Sequence, residues 1–188
     1  MIEILPYCES WTAEFQSIAA RLRIGLGPEA IRIDHIGSTA VVGLAAKDII
    51  DIQVTVAELR SELLDTFALM GYVHRPMVTR DHRPADDCSP DVEWQKWFFR
   101  PPAEQRPTNL HVRVVGNANQ RYPLLFRDYL RANPATVAAY AELKRRLACE
   151  LRDENSYPDV KDPAVDLIYF AAKAWASTSH WLMGASDA

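Results

Sequence analysis

His35 to Val56 reads HIGSTAVVGLAAKDIIDIQVTV. A Gly-Ser corner at Gly37 and Ser38 leads, through a short stretch, into DIIDIQVTV (48 to 56), whose alternating, β-branched composition predicts a strand. Asp51 stands in the middle of that strand among isoleucines. A carboxylate in an apolar strand is costly unless it is paired, hydrogen-bonded or set against a cation. Period-two counting puts Ile49, Asp51, Gln53 and Thr55 on one face and Ile50, Ile52, Val54 and Val56 on the other. The polar face is therefore expected to line a cleft.

Working outward, Trp11, Phe15, Ile18 and Leu22 follow helical spacing after a cap expected at Ser10, and Gly25, Gly27 and Pro28 close that helix. AIRIDH (30 to 35) reads as a strand, and STAVVGLAAK, between it and the Asp51 strand, as a short helix. Leu59, Leu63, Phe67 and Met70 mark another helix, ended by Gly71, before a short strand at YVHR. Pro76 to Asp91 is a polar loop, long enough to serve as a flap over a site, and EWQKWFFR and NLHVRVV follow as two strands. After Asn119 the pattern is helical throughout. The expectation is an α+β fold in one domain over 1–188, a sheet half to about 118 and a helical half from about 119.

Composition narrows the partners. The chain has 188 residues and a formal charge of -4, which gives no electrostatic footprint for long nucleic acid and leaves room for a local basic pocket that takes a small anion. Cys8, Cys88 and Cys149 lie far apart without CxxC spacing, so they read as reduced thiols rather than a disulfide framework or zinc site. The acidic N-terminal residues do not resemble a signal peptide, and no run reaches the length of a membrane span. A cytoplasmic location and no membrane partner are expected.

The candidate site starts at the corner. Gly37 lets backbone N–H groups approach an anion, the Ser38 hydroxyl adds a donor, and a helix starting at Thr39 would favour a phosphate at its N-terminus. Lys47 is within reach of such a phosphate, while Asp48 is expected to pair with Lys47. His35 is expected to hold the corner in shape. Asn109, His111 and Arg113 share one strand face, and Lys96 and Arg100 alternate on the strand before it, making the far wall of a phosphate cleft or a solvated sheet face. One of Lys144, Arg145 and Arg146 is expected to face the cleft. For Asp51, the structural alternative is an ion pair with Arg32 or another cation.

DHIGSTAVVGLAAKDIIDIQV, TNLHV, and FRDYLRANP, YAELKRRLA and a late Tyr and Lys (Tyr157 and Lys161) in the helical half together resemble the GrpB-like proteins, a branch of the nucleotidyltransferase-fold superfamily. The resemblance covers nearly the whole chain. It implies a mixed sheet with flanking helices, a Gly-Ser loop for nucleotide phosphates, a ligand contact from Lys161, and carboxylates on the next strand for Mg²⁺. Asp51 matches the first carboxylate of that pattern. Gln53 stands where the second would be, and the strand expected to carry a third offers Asn109 and His111. Magnesium prefers hard anionic oxygens, so Asp51 with Gln53 is a thin metal set.

Two functions follow as expectations. The first is a nucleotidyltransferase that binds a nucleotide or another phosphorylated small molecule, with Asp51 catalytic and Mg²⁺ held by Asp51 and Gln53. The second is a non-catalytic binding or regulatory module that has lost the full carboxylate set; the resemblance adds that such domains occur joined to dephospho-coenzyme A kinase in some bacteria.

Overall fold

The computed structural model describes residues 2–153 and 156–188. Helix α1 (Ser10–Leu26) precedes β1 (Arg32–Ile36) and β2 (Ile50–Val56); α2 (Glu62–Leu69), β3 (Val73–His74), β4 (Trp97–Arg100) and β5 (Thr108–Val114) follow. Three helices complete the chain: α3 (Ala118–Ala132), α4 (Pro134–Glu150) and α5 (Tyr157–Ser179). The five strands form one mixed sheet in the order β1-β2-β5-β4-β3, with β2 and β5 parallel and the other neighbours antiparallel.

The period-two pattern of β2 separates two environments. Ile50, Ile52, Val54 and Val56 pack with Leu110 and Val112 of β5 against Trp11, Phe15, Ile18 and Leu22 of α1, and all are essentially excluded from water. Each such side chain contributes about 1.5–3 kcal/mol when fully buried, so this face anchors the sheet. The opposite face carries the polar residues and is roofed by α3, α4 and α5, which pack on one another through smaller apolar clusters.

The corner differs from expectation. STAVVGLAAK contains only one 3₁₀ turn, Ser38–Ala40, and no α-helix, so no helix N-terminus or macrodipole is available at Thr39. Gly43 and the β-branched Val41 and Val42 oppose a longer helix. Ser10 is the first helical residue of α1 rather than its cap, and its hydroxyl bonds Glu14 at 2.7 Å. EWQKWFFR supplies a strand only from Trp97, because Asp91–Trp94 forms a 3₁₀ turn.

The free edge of β1 is covered by a segment whose role is not written in any periodicity. The Ser186 hydroxyl accepts from the Ile33 N–H at 2.9 Å, the Asp187 carboxylate accepts from the His35 N–H at 2.9 Å, and the Ala188 N–H returns to the Ile33 carbonyl at 3.1 Å. Edge strands with unpaired backbone groups are otherwise open to unwanted pairing. Arg127 of α3 bridges the same Asp187 carboxylate at 2.6 Å and the His35 carbonyl at 2.9 Å, which ties roof, tail and corner together.

Candidate functional site: a lysine-lined cleft beside Asp51

Gly37 takes φ +70°, and a Cβ there would overlap the Asp51 carboxylate. Glycine is required twice, for the left-handed backbone and for the close approach of the corner to β2. Thr39 is fully buried and faces inward: its hydroxyl lies 3.0 Å from His35 Nε2 and 3.4 Å from the Ile49 carbonyl. His35 stacks on Phe15 at 4.7 Å between ring centroids, and burial pushes its imidazole down to about 4. His35 and Thr39 thus brace the corner, leaving Ser38 as its outward polar side chain.

Asp51 accepts from Asn109 Nδ2 at 2.8 Å and lies 3.9 Å from His111 Nε2. Burial alone would raise the Asp51 carboxyl; His111, Asn109 and the Lys161 charge outweigh it and hold the carboxyl below its ordinary value. Burial, then the Arg113 guanidinium, pushes His111 down to about 4, so at neutral pH an ionised Asp51 faces a neutral imidazole. Arg32, the structural partner considered for Asp51, instead pairs with Asp34. Asp48 is held by Arg106 and by Trp11 Nε1 rather than by Lys47.

Asp51 opens onto a cleft of about 590 Å³. Lys47, Lys96, Arg100, Lys144 and Lys161 line it against one carboxylate, Asp51. Four of the five lysines in the sequence are therefore gathered at one cleft of a chain with net charge -4. Lys47 sits over the Tyr157 ring at 4.3 Å, and Arg100 donates to Asn109 Oδ1 at 2.9 Å with its guanidinium 5.3 Å from the Phe98 ring. Lys96 is paired with Asp81 at 2.5 Å. Tyr157 and Lys161 are one turn apart in α5, so Pro158 opens the helix instead of separating the two residues. A smaller cavity of about 380 Å³ lies beside α1, around Met70 and Tyr72, away from Asp51.

Two candidate residues are placed elsewhere. Gln53 is completely buried; its Oε1 accepts from Arg113 at 2.7 Å and its Nε2 donates to the Gln120 carbonyl at 3.0 Å. Arg113 is buried too and forks onto both Asp81 oxygens at 2.8 Å each. Neither lines the cleft. The polar face of β2 is a cleft wall only at its Asp51 end, because Gln53 is tied to α3 and Thr55 is fully buried.

Of Lys144, Arg145 and Arg146, one of which the sequence places at the cleft, it is Lys144 that lines it; Asp81 was not singled out by the sequence. Lys144 Nζ donates to Ser38 Oγ at 2.9 Å and lies 4.8 Å from the Tyr140 ring centroid. It is 3% exposed, and burial followed by the Lys161 charge pushes its amine down to about 7. A signal was present: Val137, Tyr140, Ala141 and Lys144 form an i, i+3, i+4, i+7 stripe, so Lys144 continues the buried face of α4 while Arg145 and Arg146 turn to Glu142. Asp81 has no comparable signal. It is placed by the polar loop folding back along the β4 approach, where its N–H bonds the Trp94 carbonyl at 3.0 Å. The same loop is tied to α5 by His82 with Asp166 and by Asp86 with Lys173, and its Val78 borders the cleft.

The donor set does not fit a pair of protein-held magnesium ions. Gln53 is spent inside the fold, Asp51 already accepts from Asn109, and no group of three His, Cys, Asp or Glu side chains converges among the described residues. Cys8, Cys88 and Cys149 are exposed free thiols, and no helix among the described residues is long and apolar enough to cross a membrane.

The chain matches the GrpB protein family over residues 1–170. Dephospho-CoA kinase of Mycobacterium leprae is 38% identical over 192 residues, covering 91% of this chain and 46% of the kinase, so the chain spans about half the length of that relative. The crystal structure of the conserved protein GrpB from Enterococcus faecalis superposes with a TM-score of 0.70 at 28% identity, covering 92% of this chain and 99% of that one. A cytoplasmic RNA terminal U-transferase shares the fold at 14% identity and a TM-score of 0.50, over 77% of this chain and 44% of the transferase. With its mixed sheet, its Gly-Ser corner and a family match across most of its length, the chain belongs to the GrpB family and has a nucleotidyltransferase-like fold.

Proposed function

We propose that the cleft binds the phosphate-bearing part of a nucleotide or another small phosphorylated molecule. The observation that carries this reading is the convergence of Lys47, Lys96, Arg100, Lys144 and Lys161 on one concave surface of an acidic protein. Lys96 is partly neutralised by Asp81, and Arg100, Lys144 and Lys161 still outnumber the single cleft carboxylate. Ser38, Lys144 and Lys161 would hold phosphate oxygens, Lys47 and Arg100 would close the two sides, and His111, neutral at pH 7, would accept or donate one hydrogen bond without adding charge. The fully engaged Gln53 favours a binding module whose affinity needs no metal.

The likeness to a terminal U-transferase favours a second reading, nucleotidyl transfer, in which Asp51 would orient an acceptor hydroxyl. Titration calorimetry with nucleoside triphosphates, coenzyme A precursors and phosphosugars, with and without Mg²⁺, separates the two. Metal-independent binding is expected, weakened by added salt and weakened roughly tenfold by Lys161→Met, because a hydrogen bond to a charged group contributes about 1.5–3 kcal/mol. A folded protein that binds none of the panel overturns the phosphate reading; binding only with Mg²⁺, together with product formation, decides for transfer.

A further inference from the structure

Lys144 is chemically unlike the other cleft cations. Lys96 has the Asp81 carboxylate at 2.5 Å, whereas no carboxylate among the described residues forms an ion pair with Lys144. Its hydrogen-bond partner is the neutral Ser38 hydroxyl, its stem is packed in the roof, and its amine reaches the cleft. Asp51 from β2 faces it from a distance and favours the ammonium; Lys161 from α5 and Arg145 from its own helix oppose it. A desolvated amine beside a second cation is the arrangement that turns a lysine from a phosphate contact into a nucleophile.

We propose that Lys144 is a nucleophile for carbonyl compounds that carry a phosphate: its amine condenses with the aldehyde or ketone carbon of a phosphorylated ligand anchored in the cleft, forming an imine. The nitrogen lone pair adds to the carbonyl carbon as the C=O π bond breaks, one N–H proton passes to the oxygen to give a carbinolamine, and a second proton reaches that hydroxyl so that it leaves as water while the C=N bond forms; loss of the remaining N–H proton balances the second transfer. The nitrogen and carbon keep their bonds to the lysine and the ligand, and no oxidant or reductant is consumed. Ser38 Oγ, 2.9 Å from Nζ, is placed to take part in the proton movement, and the adjacent Lys161 offers charge that the phosphate requires. This inference rests on the phosphate-binding reading of the cleft and narrows its ligand class.

The test uses pyridoxal phosphate as probe, borohydride to trap the imine as a secondary amine, and peptide mass mapping to locate it. Lys173, outside the cleft and paired with Asp86, is the internal control. The expected result is trapping at Lys144 on the order of tenfold faster than at Lys173 near neutral pH, because the cleft anchors the probe's phosphate and burial beside Lys161 favours the unprotonated Lys144 amine. Its pH profile should have a midpoint near 7, phosphate-free pyridoxal should label it far more slowly, and inorganic phosphate should compete. Labelling spread over all lysines, or absent from Lys144 while Lys161 is labelled, overturns the nucleophile assignment yet leaves phosphate binding intact. Equal labelling of Lys144 by pyridoxal and pyridoxal phosphate, with no competition by phosphate, overturns the phosphate-guided ligand class and the anion-cleft reading with it. Lys144→Arg, which keeps a cation on the buried face of α4, should abolish trapping in the cleft; an undiminished yield of trapped adduct in the cleft of this variant overturns the assignment.

Discussion

Asp51 and Gln53 are two residues apart on the same face of β2 and lead different lives. Asp51 opens on a cleft with one amide donor and several cations at longer range, while Gln53 is sealed under α3 in a network in which Arg113 and Asp81 satisfy each other. Strand alternation decides which face a polar side chain occupies; the element covering that face decides whether it serves a ligand or the fold. A sealed polar network tolerates no missing member, whereas a cleft wall is bathed in water and forgives substitution. Removing residues from the sealed end should therefore cost stability, and removing them from the open end should change binding.

The largest effect is expected from Asp81→Asn. Asp81 neutralises Arg113 and Lys96, both buried, and taking away one partner of a buried pair costs about 3–5 kcal/mol because the charges left behind have no substitute. Burial would raise the Asp81 carboxyl, but Arg113 and then Lys96 hold it well below the usual carboxylate range. A depressed carboxyl contributes stability above its unfolded value and loses it as pH falls toward the folded one, so the contribution is complete at neutral pH and fades in acid. Urea denaturation should show a large deficit for Asp81→Asn at neutral pH that narrows in acid. An unchanged midpoint would mean that the network is not a sealed one.

The corner behind the cleft should also lose stability in acid, through a buried neutral base instead of a paired carboxylate. His35 is buried against Phe15 with its imidazole pushed down to about 4, so between 6.5 and about 4 the unfolded chain takes up a proton that the folded chain refuses. Stability then falls with pH across that window by on the order of 3 kcal/mol, and His111 adds to the slope in the same direction. His35→Gln, which keeps a polar contact to Thr39, should flatten the profile in denaturation measured from neutral pH to about 4.

Much of the architecture was legible because it rests on local periodicity. The apolar face of β2, the stripe of α1 and the helical half follow from spacing that the sheet and roof enforce. The corner reads as a helix from Ala40, Leu44, Ala45 and Ala46, against which Val41, Val42 and Gly43 weigh; its backbone is set by the approach of Gly37 to Asp51, a contact across strands. The cleft wall was legible on β4 and β5, where alternation selects Lys96, Arg100 and His111, and failed at Gln53 and Arg113, since alternation cannot say where α3 lies. Asp81 was out of reach for the same reason: its role exists only once the loop folds back onto β4.

Gln53 sharpens the contrast further. Gln53→Leu leaves Arg113 short of an acceptor and the Gln120 carbonyl short of a donor, with an expected cost of about 1–3 kcal/mol in denaturation. Gln53→Asp restores the second carboxylate that a metal-dependent transferase would carry, yet at this position it meets Arg113 instead of the cleft. Calorimetric titration of Mg²⁺ should therefore show no gain over wild type. A clear gain would mean that Gln53 can leave its network and that the open end extends one residue pair further along β2.

The smallest effect on stability is expected from Asp51→Asn, and it is the most discriminating for function. The side chain is half-buried and its replacement can still accept from Asn109, so the cost should be under about 1 kcal/mol. In the cleft, one negative charge disappears from among five cations, which should raise the affinity for a phosphorylated ligand about threefold to tenfold at low salt. A second consequence opposes the first: Asp51 favours the ammonium form of Lys144, so its removal lowers the Lys144 amine below about 7 and withdraws a cation near neutral pH. The gain should thus be largest near pH 6, where Lys144 is protonated in both proteins, and shrink as pH rises through 7, while imine trapping at Lys144 shifts to lower pH. Titration of phosphate binding across that range with wild type and Asp51→Asn measures both. Loss of affinity at every pH would mean that Asp51 recruits the ligand through a cation, and the transfer reading would then displace the metal-free one.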